Sequence, residues 1–185
     1  MKRSTIDKVL STIGLLMTAV LLVTSVALFL TQNFIHTQVA QQLEPQKIVF
    51  PAADSPAINA LAAKDKEAVS KYAGQQVTTG AQASVFANNY IAAHIKTISG
   101  GMSYSELSTA SRSDPTNTKL AAQVDTVFKG ETLRGMLLNA YAFDTMASVA
   151  LFAAYGAAIA GFIMLVLSLL GFSHSKNEVV KNKKK

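Results

Sequence analysis

Apolar residues gather into two charge-free runs, Val9–Leu30 and Met146–Phe172, and everything else in the chain is arranged around them. The first run holds 22 residues. As an α-helix it would extend roughly 33 Å, against a bilayer hydrocarbon core of about 30 Å. The second run is longer, so both fit a membrane. The pattern therefore predicts an all-α membrane protein in which two transmembrane helices flank a helical extracytoplasmic domain. Its segments are a tail over 1–8, a span over 9–30, a central domain over 44–145, a span over 146–172 and a basic tail over 173–185.

Between the runs the periodicity is helical. No charge, Gly or Pro interrupts Thr31 to Leu43, so the first helix is expected to continue to 43. Pro45 disfavours helix at Glu44, and Ile48-Val49-Phe50-Pro51 reads as extended. Ser55-Pro56 restarts a helix with proline at its first position, and the Ala-rich stretch Ala57 to Tyr72 follows, closed by Gly74. Thr79-Gly80 precedes a helix over Ala81 to Ile98, which Gly100-Gly101 stops. Ser103 and Glu106 have capping-box spacing, so a short helix should begin at Tyr104. After the turn-rich Ser111 to Pro115, Leu120, Val124, Val127 and Phe128 form another apolar stripe. From Glu131 an unbroken pattern leads into the second span, which predicts a final helix of about 40 residues.

Charge orients the chain. The sequence has 17 Lys and Arg against 11 Asp and Glu, and the tails hold the whole surplus of six, while the central segment is neutral. Basic residues beside spans favour the cytoplasmic face, which places both tails inside the cell membrane and the centre outside. The lysines flank apolar helices instead of one folded face, which argues against nucleic acid as a partner. Lys183 to Lys185 suits anionic lipid headgroups, so membrane lipid is an expected partner. Ser25-Val26-Ala27 has the small-x-small form of a signal-peptidase site, and cleavage there would leave only the second span as an anchor. The 22-residue run exceeds the roughly 7–15 residues of a signal-peptide core, which favours a retained span. With no cysteine, the outer domain has no disulfide and must rely on packing.

Candidate chemistry is sparse. The histidines His36, His94 and His174 carry no HxxE or HxH spacing, and His174 falls on the opposite side from the other two. No GxSxG, GxxxxGK[ST] or GxGxxG occurs, and the SxxK match at Ser173 to Lys176 lies in a short basic tail. No catalytic residue, metal ligand or cofactor site is assigned. In the second span Ala153, Ala157 and Gly161 recur every four residues, beside Gly156 and Ala160, as in close-packed membrane helices. Gly14 and Thr18 give the first span a matching face. Glu131, Arg134 and Asp144, with His94, make a candidate polar binding cluster, in which Glu131 suits a helix N-terminus and Arg134 pairs with it or with lipid phosphate.

Tyr72-Ala73-Gly74, Gly80-Ala81-Gln82-Ala83, Tyr90-Ile91-Ala92-Ala93-His94, Tyr104-Ser105-Glu106 and above all Phe128-Lys129-Gly130-Glu131-Thr132-Leu133-Arg134-Gly135-Met136-Leu137-Leu138-Asn139-Ala140-Tyr141 resemble a family of uncharacterised actinobacterial two-pass membrane proteins. The likeness covers most of the chain. Some members carry the label ring-opening dioxygenase, but the iron ligands of that chemistry are not evident here. The resemblance implies topology and a high-GC Gram-positive lineage, and no activity.

These readings favour a non-enzymatic accessory or structural subunit that binds a membrane-protein partner or its own copies. The expected tails, Met1 to Lys8 and Ser173 to Lys185, are too short to fold by themselves. The alternatives are an extracytoplasmic ligand-binding sensor, which a large apolar pocket would support, and an envelope or lipid-acting enzyme, which needs Glu131, Arg134, Asp144 and His94 in one pocket.

Overall fold

The computed structural model describes residues 3–183, with side chains as far as residue 177, so most of the lysine run Lys183 to Lys185 lies outside the described residues. The protein is all-helical. Among the described residues the one β feature is a single antiparallel bridge, Val49 to Gln76. The helices are α1 (Arg3–Leu43), α2 (Pro56–Asn59), α3 (Ala63–Ser70), α4 (Gly80–Val85), α5 (Ala92–Ser99), α6 (Tyr104–Ser113) and α7 (Thr118–Lys183), with a π turn at Phe86–Ile91. Two helices, α1 and α7, are long and apolar enough to cross a membrane. The chain forms two compact units, Met1–Phe34 with Ala147–Lys185, and Ile35–Met146. The second unit thus includes the end of α1, ahead of Glu44.

In the second unit the chain leaves α1 through a 3-10 turn at Glu44–Gln46, where Pro45 cannot continue the helix. Lys47 then turns with φ 50°. Residues 48–51 run antiparallel to 74–77. Phe50 N–H donates to Gln75 O at 2.9 Å and Val77 N–H to Ile48 O at 2.8 Å, which seats Phe50 in the core. There its ring meets Phe86 edge-on at 5.1 Å and Tyr72 at 5.4 Å. Ile58, Val69, Val77, Leu107, Val127 and Leu137 complete the buried cluster, with Val39 and Leu43 from α1. Each such side chain contributes about 1.5–3 kcal/mol by leaving water.

The single helix expected over Ala57 to Tyr72 is broken. Asn59 ends α2 by donating to Asp54 O at 2.9 Å and accepting from Lys66 Nζ at 2.8 Å, and extended backbone at Ala62 (ψ 151°) precedes α3. Ser103 caps α6 in a capping box with Glu106. The Ser103 backbone N–H, then its hydroxyl, donate to the Glu106 carboxylate and hold it below its ordinary range. The final helix also differs from expectation: it begins at Thr118, where Asn117 Oδ1 accepts from Leu120 N–H at 3.0 Å, and runs for 66 residues. Glu131 therefore lies well inside α7, and the helix-terminus role expected for it is corrected.

The π turn has a packing reason. Ala83, Ala87, Ile91, Ile95 and Ser99 are all buried, a strict four-residue repeat. A plain α-helix drifts by about 40° per four-residue step, enough over four steps to carry Ser99 to the far side. One widened turn, closed by Ala92 N–H donating to Ala87 O, absorbs most of that drift and keeps a single face inward.

Candidate functional site

In the first unit α1 and α7 lie antiparallel along a seam that repeats every seven residues. On α1 the seam positions are Ser4, Ser11, Thr18, Ser25 and Gln32; on α7 they are Ala147, Ala154, Gly161, Ser168 and Ser175. Ser11, Thr18, Gln32, Ser168 and Ser175 are buried polar residues, and Ala147 and Ala154 are buried beside them. A seven-residue repeat keeps one helix face turned to its partner over many turns.

Hydroxyls tie the seam together. Ser25 Oγ donates to Ala154 O at 2.8 Å and Ser175 Oγ to Ser4 O at 2.9 Å. The contacts are also reciprocal in shape: the Ser168 hydroxyl sits over Gly14, and the Ser11 hydroxyl over Gly171. Thr18 instead bonds within its own helix, to Gly14 O at 2.9 Å. A Cβ at Gly161 would lie 3.2 Å from Leu22.

Of the packing residues read from the sequence, Gly14, Thr18 and Gly161 lie on this seam and Ala157 is half-buried at its edge. Ala153 lies off this seam and faces outward, as do Gly156 and Ala160. The inward face follows a spacing of seven, and a spacing of four drifts off it. The first-span hydroxyls at that same spacing were the overlooked signal.

In the second unit the four polar candidates enter different contacts. Arg134 donates through Nη1 to Glu131 Oε2 at 2.7 Å and through Nε to Ala87 O at 3.1 Å, with Nη2 3.4 Å from Asn88 Oδ1. It fastens α7 to the π turn. Asp144 Oδ1 instead pairs with His36 Nδ1 at 2.5 Å, and Gly80 packs so closely on the Asp144 side chain that a Cβ there would collide with it. His36, Gly80 and Asp144 thus join the end of α1, the start of α4 and α7. His94 Nδ1 donates to Tyr90 O at 2.8 Å, and its ring lies 4.4 Å from the Tyr90 ring.

On the unbroken α7 helix Glu131 and Asp144 are 13 residues apart, about 20 Å along the axis. One pocket holding Glu131, Arg134, Asp144 and His94 is therefore corrected to separate local contacts, two of them on helix joints. Among the described residues no three His, Cys, Asp or Glu side chains gather closely enough to hold a metal ion. No protein-family model, curated protein or solved structure matches this chain at a significant level.

Proposed function

We propose that the protein is a non-enzymatic integral membrane subunit that supports a larger membrane or cell-envelope complex. In this reading α1 and α7 both span the plasma membrane, the basic tails are cytoplasmic and the central segment is extracytoplasmic. The chain then belongs with the two-pass family that its motifs resemble.

The observation that carries the reading is the inverted polarity of the helix pair. The hydroxyls and small residues of the seam turn inward, while large apolar side chains turn out, with Val23 69% and Phe152 74% exposed. Only 11% of each apolar window is buried. In water such a surface would be an aggregation hazard, whereas lipid is its natural solvent. Ala153, Gly156 and Ala160 stay uncovered on the outer face of α7, where a partner helix can approach closely. Arg134 and Asp144 are occupied in holding the second unit together, which favours support over chemistry.

The test is purification from native membranes in mild detergent, with mass spectrometry of everything recovered. A partner membrane protein at near-equal amount supports the reading, and recovery of the chain alone refutes it. Topology is checked separately. The chain has no cysteine, so Ser105→Cys should react with an impermeant maleimide added to intact cells; failure to label before lysis would overturn the orientation.

A further inference from the structure

We infer that the second unit carries a binding site for a small zwitterion of the amino-acid class with an aliphatic side chain. The inference does not depend on the proposed membrane role. The site is a surface cleft of about 430 Å³ between the α2–α3 connection and α5. Leu61, Ala93 and Ile98 supply apolar wall, and Asp65, His94 and Lys96 supply the polar groups. The volume is within the range of small-molecule sites.

The charges select the ligand. Asp65 and Lys96 border the same cleft, yet neither forms an ion pair with the other or with any other described residue. Asn89 donates to Asp65 Oδ1 at 2.8 Å, which fixes the carboxylate, while among the described residues its second oxygen has no hydrogen-bond partner. The Tyr90 carbonyl can only accept, so His94 Nδ1 carries a proton, and the tautomer protonated at Nδ1 alone presents Nε2 as an acceptor. The tilted contact with the Tyr90 ring holds the His94 ring in place.

The cleft thus offers acceptors at Asp65 on α3 and at His94 Nε2 on α5, which suit an ammonium. Lys96 offers a cation, which suits a carboxylate. Leu61 and Ile98 between them suit a branched aliphatic group. A ligand with a single charge would engage only one of these two charged groups.

The test titrates the full chain in detergent micelles with L-leucine, 4-methylpentanoate, which lacks the ammonium, and isopentylamine, which lacks the carboxylate. NMR signals of the His94 ring report binding, and those of His36 and His174 serve as references. Leucine should shift the His94 signals saturably, and each analogue should bind at least about tenfold more weakly, as loss of a charged hydrogen bond implies. Lys96→Met should weaken leucine to the level of isopentylamine and leave isopentylamine unchanged. Asp65→Asn, which keeps an oxygen for Asn89, should weaken leucine to the level of 4-methylpentanoate and leave that analogue unchanged. No shift with leucine, equal shifts with all three compounds, or indifference to both substitutions would each overturn the inference.

Discussion

The same two helices bury opposite kinds of side chain in the two units. In the second unit α1 contributes Val39 and Leu43 to the core, and α7 contributes Val127 and Leu137. In the first, the buried residues are Ser11, Gly14, Thr18 and Gln32 on α1 and Ala147, Ala154, Gly161, Ser168 and Ser175 on α7. The outer faces reverse too: Gln42, Asp125 and Lys129 are exposed in one unit, Leu16, Val23 and Ile159 in the other. Where water surrounds a helix, large apolar groups cohere because water excludes them. Where lipid surrounds it, that drive vanishes, and close backbone approach with hydroxyl bonds must serve instead. On the proposed membrane reading, the contrast means that one helix is written for two solvents in succession.

The contrast can be broken most decisively at Val23. A lysine there should cost about 2.5–3.5 kcal/mol if the side chain faces the bilayer centre, and the variant should largely leave the carbonate-resistant membrane fraction. Thr132→Lys, on the exposed face of α7 in the second unit, should change stability by no more than about 0.5 kcal/mol. Full membrane retention of Val23→Lys would end the two-solvent account.

Next in size is Leu137→Ala. Leu137 is 1% exposed, and its truncation should cost about 2–5 kcal/mol through lost burial and a residual cavity, read from guanidinium unfolding followed by tyrosine fluorescence. Two glycines then sharpen the picture within the second unit. Gly80→Ala drives a methyl into the Asp144 side chain and should destabilise by about 1–3 kcal/mol. Gly135→Ala meets nothing within 4 Å and should stabilise α7 by about 0.5–1 kcal/mol. Equal effects of the two would show that the α4–α7 contact is loose.

The smallest effect is a pH dependence. Because Ser103 lowers the folded-state pKa of Glu106, that carboxylate contributes stability that is fully present above pH 4.5 and is lost as the pH falls through its folded value. Glu106→Gln should flatten this part of the acid limb and leave the neutral region with the same slope. An unchanged acid limb would remove Glu106 as its source.

Much of the local structure was legible because single residues punctuate it. Pro45, Ser55-Pro56, Gly100-Gly101 and the Ser103/Glu106 box act through backbone geometry that does not depend on the rest of the fold. What was not legible depends on partners far along the chain. The start of α7 was read at Glu131 because an acid suits a helix N-terminus, yet the neighbouring Gly130 is half-buried against Ile95 inside the helix. The seven-residue seam was overlooked because small residues stand out in an apolar run, whereas the serines of the first span do not. His36 and Asp144 are 108 residues apart, and no local spacing announces such a pair.

The π turn at Phe86–Ile91 has a consequence in the language of insertions and deletions. It is one residue of slack in an otherwise ordinary helix. A relative lacking a residue there would align almost without penalty, yet everything from Ala92 to Ser99 would turn by about 100° about the helix axis. Ile95 would leave the core, and His94 and Lys96 would leave the wall of the cleft. For this segment a gap of one position is a larger change than most substitutions.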